Sequence, residues 1–306
     1  MKWQGVIPAI TTPFREDQTI DEAFLRRHVD VLVKAGCTGI VGLGSLGEGG
    51  TLRFEEKRTV LRVAREALAG RAPLVAGIAA LATEEAIVLA REAQACGCAG
   101  LMVLPPYVYK GDWRETKAHF RAVIAATSLP CMLYNNPIAY GTDVDAVQLE
   151  ELCRDLPNLV AVKESSADVR RLAAIRALLG DRMALLVGVD DLIVEGIAAG
   201  AVGWIAGLVN ALPEESVRLF DLASEGKHDE ARALYEWFLP LLRLDVVPKF
   251  VQLIKLVQAE VGLGSETVRP PRLPLLGDER DKVLAMIRSA LRRRPSAQRT
   301  TTAAAC

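Results

Sequence analysis

The sequence predicts an α/β protein, an eight-stranded β/α (TIM) barrel with a C-terminal helical extension. Eight short apolar runs alternate with amphipathic segments between residues 6 and 206. Most of the runs are near-continuous in apolar residues, as parallel strands covered on both faces require. After Pro213 the pattern turns wholly helical. Eight strand–helix units in succession suit a closed barrel better than an open sheet.

The strand-like runs fall at 6–10, 39–43, 74–78, 100–104, 131–134, 159–162, 184–187 and 202–206. Helical periodicity fills 21–35, 53–69, 83–95 and 113–126, and cap or first-turn residues stand at Asp21-Glu22, Thr83-Glu84-Glu85 and Asp143. Residues 1–224 are read as the barrel that carries the active site. Residues 225–292 form the helical extension, with segments at 227–242, 249–261 and 278–292. The tail 293–306 has no apolar period and is expected to be disordered.

Composition narrows the partners. With 51% hydrophobic residues in 306, the chain has material for a large core. Lysine plus arginine (37) nearly equals aspartate plus glutamate (38), so no basic face is expected for nucleic acid or anionic lipid. The N-terminal "MKWQGVIPAITTPF" lacks the apolar core of a signal peptide, and no stretch is apolar enough to span a membrane. Six scattered cysteines read as reduced, mostly buried thiols, and the location expected is cytoplasmic. Cys96 and Cys98 form one close pair without a second pair or a nearby histidine, which is not a metal site. His28, His119 and His228 fall on helical segments and are expected to be solvated. No metal is expected.

Chemistry in a barrel sits at the C-terminal ends of the strands. Lys163 ends the sixth run, Tyr134 the fifth, and Gly44 with Ser45 the second. The other nine lysines lie on helices, in loops or near the N-terminus. An apolar strand end disfavours the ammonium form and leaves the amine available as a nucleophile toward a carbonyl.

The segments "GVIPAITTPF", "GSLGEGGTL", "PPYVYKGD", "YNNPIAYG", "VKESSADVRR", "GVDDLIVEGIAAGAVGWIAG" and "RPPRLPL", in this order from about Gly5 to Leu276, resemble the dihydrodipicolinate synthase and N-acetylneuraminate lyase family. The resemblance implies a lyase, a homotetramer, a small 2-oxo acid or imino acid substrate, and no cofactor beyond a covalent Schiff base on Lys163. It implies that Tyr134 shuttles protons. Gly44, Ser45 and Leu46 then form the loop that binds the substrate carboxylate, with the Ser45 hydroxyl also in the catalytic set. Backbone N–H groups of Ser45 and Leu46 can point at an anion because Gly44 and Gly47 permit a tight loop. Gly188 and Ala206 fall where the family places backbone around the substrate. Glu48 reads as a structural residue of the loop.

Several positions depart from the dihydrodipicolinate synthase pattern. Ser45 and Leu46 stand for two threonines, Val108 for a relay tyrosine and Ala139 for an arginine, followed by Tyr140. Tyr109 lies beside Val108, but adjacent residues point different ways. On these grounds the motifs look most like the 1-pyrroline-4-hydroxy-2-carboxylate deaminase branch, which releases water and ammonia to give 2-oxoglutarate semialdehyde. The alternatives are a 2-oxo acid aldolase or dehydratase on a deoxy sugar acid, or 4-hydroxy-tetrahydrodipicolinate synthase. A non-catalytic ligand-binding barrel is the alternative outside enzymes.

Overall fold

The computed structural model describes residues 1–295; the expected disordered tail lies, from residue 296 onward, outside the described residues. Eight strands form one parallel sheet: β1 (Gly5–Pro8), β2 (Ile40–Gly42), β3 (Leu74–Ile78), β4 (Gly100–Val103), β5 (Cys131–Asn135), β6 (Leu159–Glu164), β7 (Ala184–Val187) and β8 (Gly203–Ala206). The order is β1-β8-β7-β6-β5-β4-β3-β2. A parallel bridge between Ala9 and Val41 brings β1 back against β2, closing the sheet into a barrel.

Helices α1 (Glu22–Lys34), α2 (Phe54–Leu68), α3 (Thr83–Ala95), α4 (Trp113–Ala125), α5 (Pro137–Tyr140), α6 (Ala146–Asp155), α7 (Arg170–Leu179), α8 (Ile193–Ala198) and α9 (Pro213–Ser224) follow the strands. The Asp21 carboxylate accepts from Phe24 N at 2.9 Å and starts α1, as expected. Asp143 caps nothing; Asp145 takes that role at α6, and Asp143 pairs with Arg171 instead.

Alternation along the strands sorts side chains into lumen and helix-facing sets. Ile7, Val41, Val75, Met102, Met132, Ala161, Leu186 and Ile205, one from each strand, are buried in a cluster inside the barrel. They plug the lumen, so the barrel is a packed core and not a pore. Two residues farther along each chain come Ala9, Leu43, Gly77, Leu104, Tyr134, Lys163, Gly188 and Gly207. Three glycines in that layer leave space above the plug, and Lys163 and Tyr134 stand in it.

The extension comprises α10 (His228–Leu242), α11 (Phe250–Glu260) and α12 (Gly277–Arg292). It shares one hydrophobic cluster with the barrel helices, Phe238, Ile254 and Ile287 among its members, so the boundary at 224/225 separates no cores. Its polar contacts reach the loop after β1 as well: Thr11 Oγ1 donates to Gln258 Oε1 at 2.9 Å.

Two histidines depart from expectation. His28 is buried, its Nε2 3.0 Å from Asn210 Oδ1, and His119 is buried with Nδ1 2.9 Å from Thr83 Oγ1. Burial lowers the pKa of both rings. Cys37, Cys98, Cys131 and Cys153 are buried free thiols, as expected, and Cys96 is half-buried.

Candidate active site

Lys163 is delivered by β6 and Tyr134 by β5, and the two are register partners in adjacent strands. Both are only 6% exposed. The Lys163 Nζ lies 3.9 Å from the centre of the Tyr134 ring. A Cβ at Gly188 would fall 2.4 Å from Lys163 Cε and 2.1 Å from Ser165 Oγ, so only glycine at the end of β7 leaves the lysine its place. This is the role the structure gives Gly188.

Neighbouring residues on the opposite strand faces hold β5 and β6 in register. Asn135 Nδ2 donates to Glu164 Oε2 at 3.0 Å and to Asp143 Oδ1 at 3.1 Å, and Asn135 Oδ1 accepts from Val144 N. Burial raises the Glu164 carboxyl above the ordinary carboxylate range even though Ser166 and Asn135 donate to it. Tyr134 is fixed at its hydroxyl, which accepts from Asn136 Nδ2 at 3.0 Å.

The loop after β2 is wound tightly. Leu43 and Glu48 adopt positive φ of 65° and 54°, and a Cβ at Gly49 would lie 2.1 Å from the Leu43 carbonyl oxygen. Neither the Ser45 nor the Leu46 N–H has a hydrogen-bond partner among the described residues, which leaves both free for an anion. The Leu46 side chain is buried in the helix-facing core. Leu46 therefore contributes backbone alone, which accounts for an apolar residue at that position.

The Ser45 hydroxyl makes a short contact with the Tyr140 hydroxyl. Tyr140 packs edge-on against Tyr134, ring centres 5.7 Å apart, and against Tyr107 at 5.6 Å. Burial, then proximity to Tyr134, raises the Tyr140 pKa above that of an ordinary phenol. Tyr140 thus joins the loop after β2 to the lysine–tyrosine pair, a position that its place beside Ala139 did not reveal. Tyr109 is 55% exposed and donates to Glu115, and Val108 is 80% exposed. Neither enters the site.

Ala206 does not reach it either. Its side chain lies in the helix-facing core and its carbonyl accepts from Ala9 N at 2.9 Å, because the neighbouring Ile205 takes the lumen side of β8. Two acids that sequence reasoning missed lie nearby. Asp190 is fully buried and accepts from Trp204 Nε1 at 3.0 Å, Gly207 N at 3.1 Å and Leu208 N at 2.7 Å. Desolvation outweighs these donors and pushes its pKa up to about 6. Asp245 comes from the extension, and its carboxyl lies flat against Gly207.

Among the described residues no group of three or more histidine, cysteine, aspartate or glutamate side chains is placed to hold a metal ion. Burial pushes the Cys98 thiol up to about 12, which keeps it protonated and a poor ligand. No helix of the described residues is long and apolar enough to cross a membrane.

The structure is thus a closed barrel with a buried lysine amine set over a tyrosine ring in its mouth. Comparison with known proteins gives its family. The model of the dihydrodipicolinate synthetase family matches residues 2–290. The 4-hydroxy-tetrahydrodipicolinate synthase of Chlorobium luteolum is 34% identical over 272 residues, covering 89% of this chain and 92% of its own. The solved 4-hydroxy-tetrahydrodipicolinate synthase of Methylacidiphilum fumariolicum SolV matches with a TM-score of 0.89 at 31% identity, over 95% of this chain and 98% of its own. The dihydrodipicolinate synthase of Acinetobacter baumannii, solved in complex with pyruvate, matches equally well at 29% identity, with the same coverage. The chain belongs to the dihydrodipicolinate synthetase family and is an enzyme of the lyase kind. These relatives carry the synthase name, not the deaminase name that the motifs suggest.

Proposed function

We propose that this enzyme is a Schiff-base lyase for a small 2-oxo acid. One observation carries the reading: Lys163 Nζ stands over the Tyr134 ring in a buried layer that Gly188 keeps open. The amine adds to the C2 carbonyl, the carbinolamine loses water, and the resulting iminium loses a C3 proton to give an enamine. Tyr134 is the group beside Lys163 that can carry these protons. The free N–H groups of Ser45 and Leu46 receive the C1 carboxylate.

For the second half of the reaction, the names of the relatives support 4-hydroxy-tetrahydrodipicolinate synthase, in which the enamine of pyruvate condenses with aspartate semialdehyde. That activity stands first. The deaminase is the second reading, and Ala139 favours it, because no arginine stands at that position for a second carboxylate.

The test is borohydride trapping with pyruvate, followed by paired kinetics on one preparation. The expected adduct sits on the Lys163 peptide and disappears in Lys163→Arg, which keeps the charge but lacks a readily deprotonated amine. Condensation is expected to outpace ammonia release from 1-pyrroline-4-hydroxy-2-carboxylate, with a raised KM for the semialdehyde. An adduct on another lysine removes the mechanism, and faster ammonia release installs the deaminase.

A further inference from the structure

Glu164 is a buried carboxyl that the reaction as proposed does not use. It is 6% exposed and follows Lys163 at the end of β6, on the opposite strand face. Its register partner is Asn135, just as Tyr134 is the partner of Lys163. The two pairs are one residue apart, so whatever fixes Asn135 against Glu164 also aims Tyr134 and Lys163.

The hydrogen bonds of Glu164 commit both of its oxygens. Oε2 accepts from Asn135 Nδ2 at 3.0 Å and Oε1 accepts from Ser166 N at 2.6 Å. Both partners are N–H groups that can only donate, so a carboxylate suits them and a proton on either oxygen would face a donor. Asn135 is equally committed. Its Nδ2 also donates to Asp143 Oδ1 at 3.1 Å, and its Oδ1 accepts from Val144 N at 2.9 Å. Those two bonds close the segment 136–143 onto the end of β5, and that segment carries Tyr140, which touches Ser45. On the other side, the Glu164 carbonyl accepts from Gly188 N at 2.9 Å. Gly188 is the residue whose missing side chain leaves Lys163 its place. Glu164 therefore ties together the ends of β5, β6 and β7 and the segment that holds Tyr140.

We propose that Glu164, as a carboxylate, is a positioning residue of the site: through Asn135 and Gly188 it sets Lys163, Tyr134 and Tyr140 against one another. This rests on the Schiff-base reading, which makes Lys163 the nucleophile. The charged groups around Glu164 do little to neutralise it. Arg171 of α7 and Asp143 bond each other at 2.7 and 2.6 Å, Asp168 pairs with Arg170, and Lys163 projects from the other strand face. Burial outweighs the donors and raises the Glu164 pKa above the ordinary carboxylate range. The tie is complete at neutral pH and is lost as the pH falls through that raised value.

The test follows the rate at which pyruvate labels Lys163 in the presence of cyanoborohydride, a reductant that survives acid, in wild type and Glu164→Gln from roughly pH 4 to pH 8. Glutamine offers one acceptor where two are needed and turns an amide N–H on a donor. At neutral pH the variant is expected to label about tenfold more slowly, the effect of losing one charge-assisted bond that holds a reacting group. The ratio of the two rates cancels the titrations of Lys163 and Asp190, which both proteins share. It should close toward one in acid, as wild type takes up its own proton at Glu164. Asn135→Asp, nearly isosteric, places a third carboxyl between Glu164 and Asp143 and serves if the glutamine variant does not fold. Its deficit against wild type should be large at neutral pH and shrink in acid, where a shared proton restores the bond. Equal rates at neutral pH, a ratio that stays constant through the acid range as a merely structural role would give, or an Asn135→Asp deficit that deepens in acid overturns the assignment. Absence of any pyruvate adduct on Lys163 in wild type is a different result: it overturns the Schiff-base reading, and the role of Glu164 in aiming a nucleophile falls with it.

Discussion

Two lysines are buried among the described residues, Lys163 and Lys255, and their neighbours suit them to opposite tasks. The Lys255 ammonium donates to Thr12 O at 2.9 Å, Thr267 O at 2.7 Å and Glu48 Oε1 at 2.6 Å. All three of its N–H bonds are spent, which fixes it as a charged strut. Lys163 has an aromatic face and no such acceptors, so its nitrogen can turn to a carbonyl carbon. Tyr140 is the residue in this neighbourhood with a role that substitution can isolate. It touches Ser45 and packs on Tyr134, and its raised pKa keeps it a hydroxyl that donates and accepts through the neutral range. With Val108 turned to solvent, Tyr140, backed by Tyr107, lies between Tyr134 and the Ser45 side, and a proton relay through it is expected to show on substitution. Tyr140→Phe is expected to lower kcat by about 10²-fold, as loss of one acid–base group does, while the pyruvate adduct on Lys163 still forms. A solvent isotope effect on kcat that grows in the variant would identify proton transfer as the slowed step; unchanged kcat would exclude Tyr140 from the relay.

At the scale of elements, the loop after β2 is anchored by the extension. Glu48, fully buried at its side chain, pairs with Lys255 of α11, and its other oxygen accepts from Arg269 N at 2.9 Å. Removing one partner of such a pair leaves an uncompensated buried charge, at a cost of about 3–5 kcal/mol. Lys255→Met is therefore expected to destabilise strongly and, on the proposed reading of the loop after β2 as the C1 site, to raise KM for the 2-oxo acid. Lys255→Met with Glu48→Gln should recover much of the stability in urea unfolding; a double variant no better than the single would dismiss the pair. Nearby, Arg269 holds Glu56 through two bonds of 2.9 and 3.0 Å. Burial would raise the Glu56 pKa, but the Arg269 and Arg53 donors outweigh it and lower it from 4.5 to about 2. A depressed carboxylate contributes its stability above its unfolded pKa, so the gap between wild type and Glu56→Gln should be full above 4.5 and vanish toward 2. A gap that persists through the acid range would refute the assignment. These contacts also mark what was legible in the chain. The strands lie within two residues of the apolar runs, because lumen and helix faces are both apolar and the runs are bounded by polar turns. Lys163, Tyr134 and Ser45 were legible because each ends a run on the same rim. Lys255 and His28 were not: their partners, Glu48 and Asn210, lie across the fold, and nothing local to those residues signals burial.

At the scale of the whole molecule, the resemblance implies a homotetramer, and the surface offers a place for a second copy. Leu81 follows β3, Val108 and Tyr109 follow β4, and Ile138 follows β5; they are 69%, 80%, 55% and 73% exposed. The three strands are neighbours in the sheet, so these loops share one flank of the barrel mouth. Scattered exposed apolar residues need no partner, but several on adjacent loops form the kind of patch that does. Val108 adds a second sign, since it holds a positive φ of 72°, unusual for a β-branched residue. Contact with a second copy across this flank would cover these side chains. We therefore expect the protein to run as an oligomer in light scattering behind size exclusion, with four copies at high concentration. Val108→Asp would bury an unpaired charge in the contact, costing about 2 kcal/mol or more and weakening association roughly thirtyfold. The variant should shift to lower mass on dilution while its circular dichroism stays that of wild type. A wild type that is monomeric at every concentration refutes the tetramer, and an oligomer whose mass ignores both Val108→Asp and Ile138→Asp moves the contact to another face.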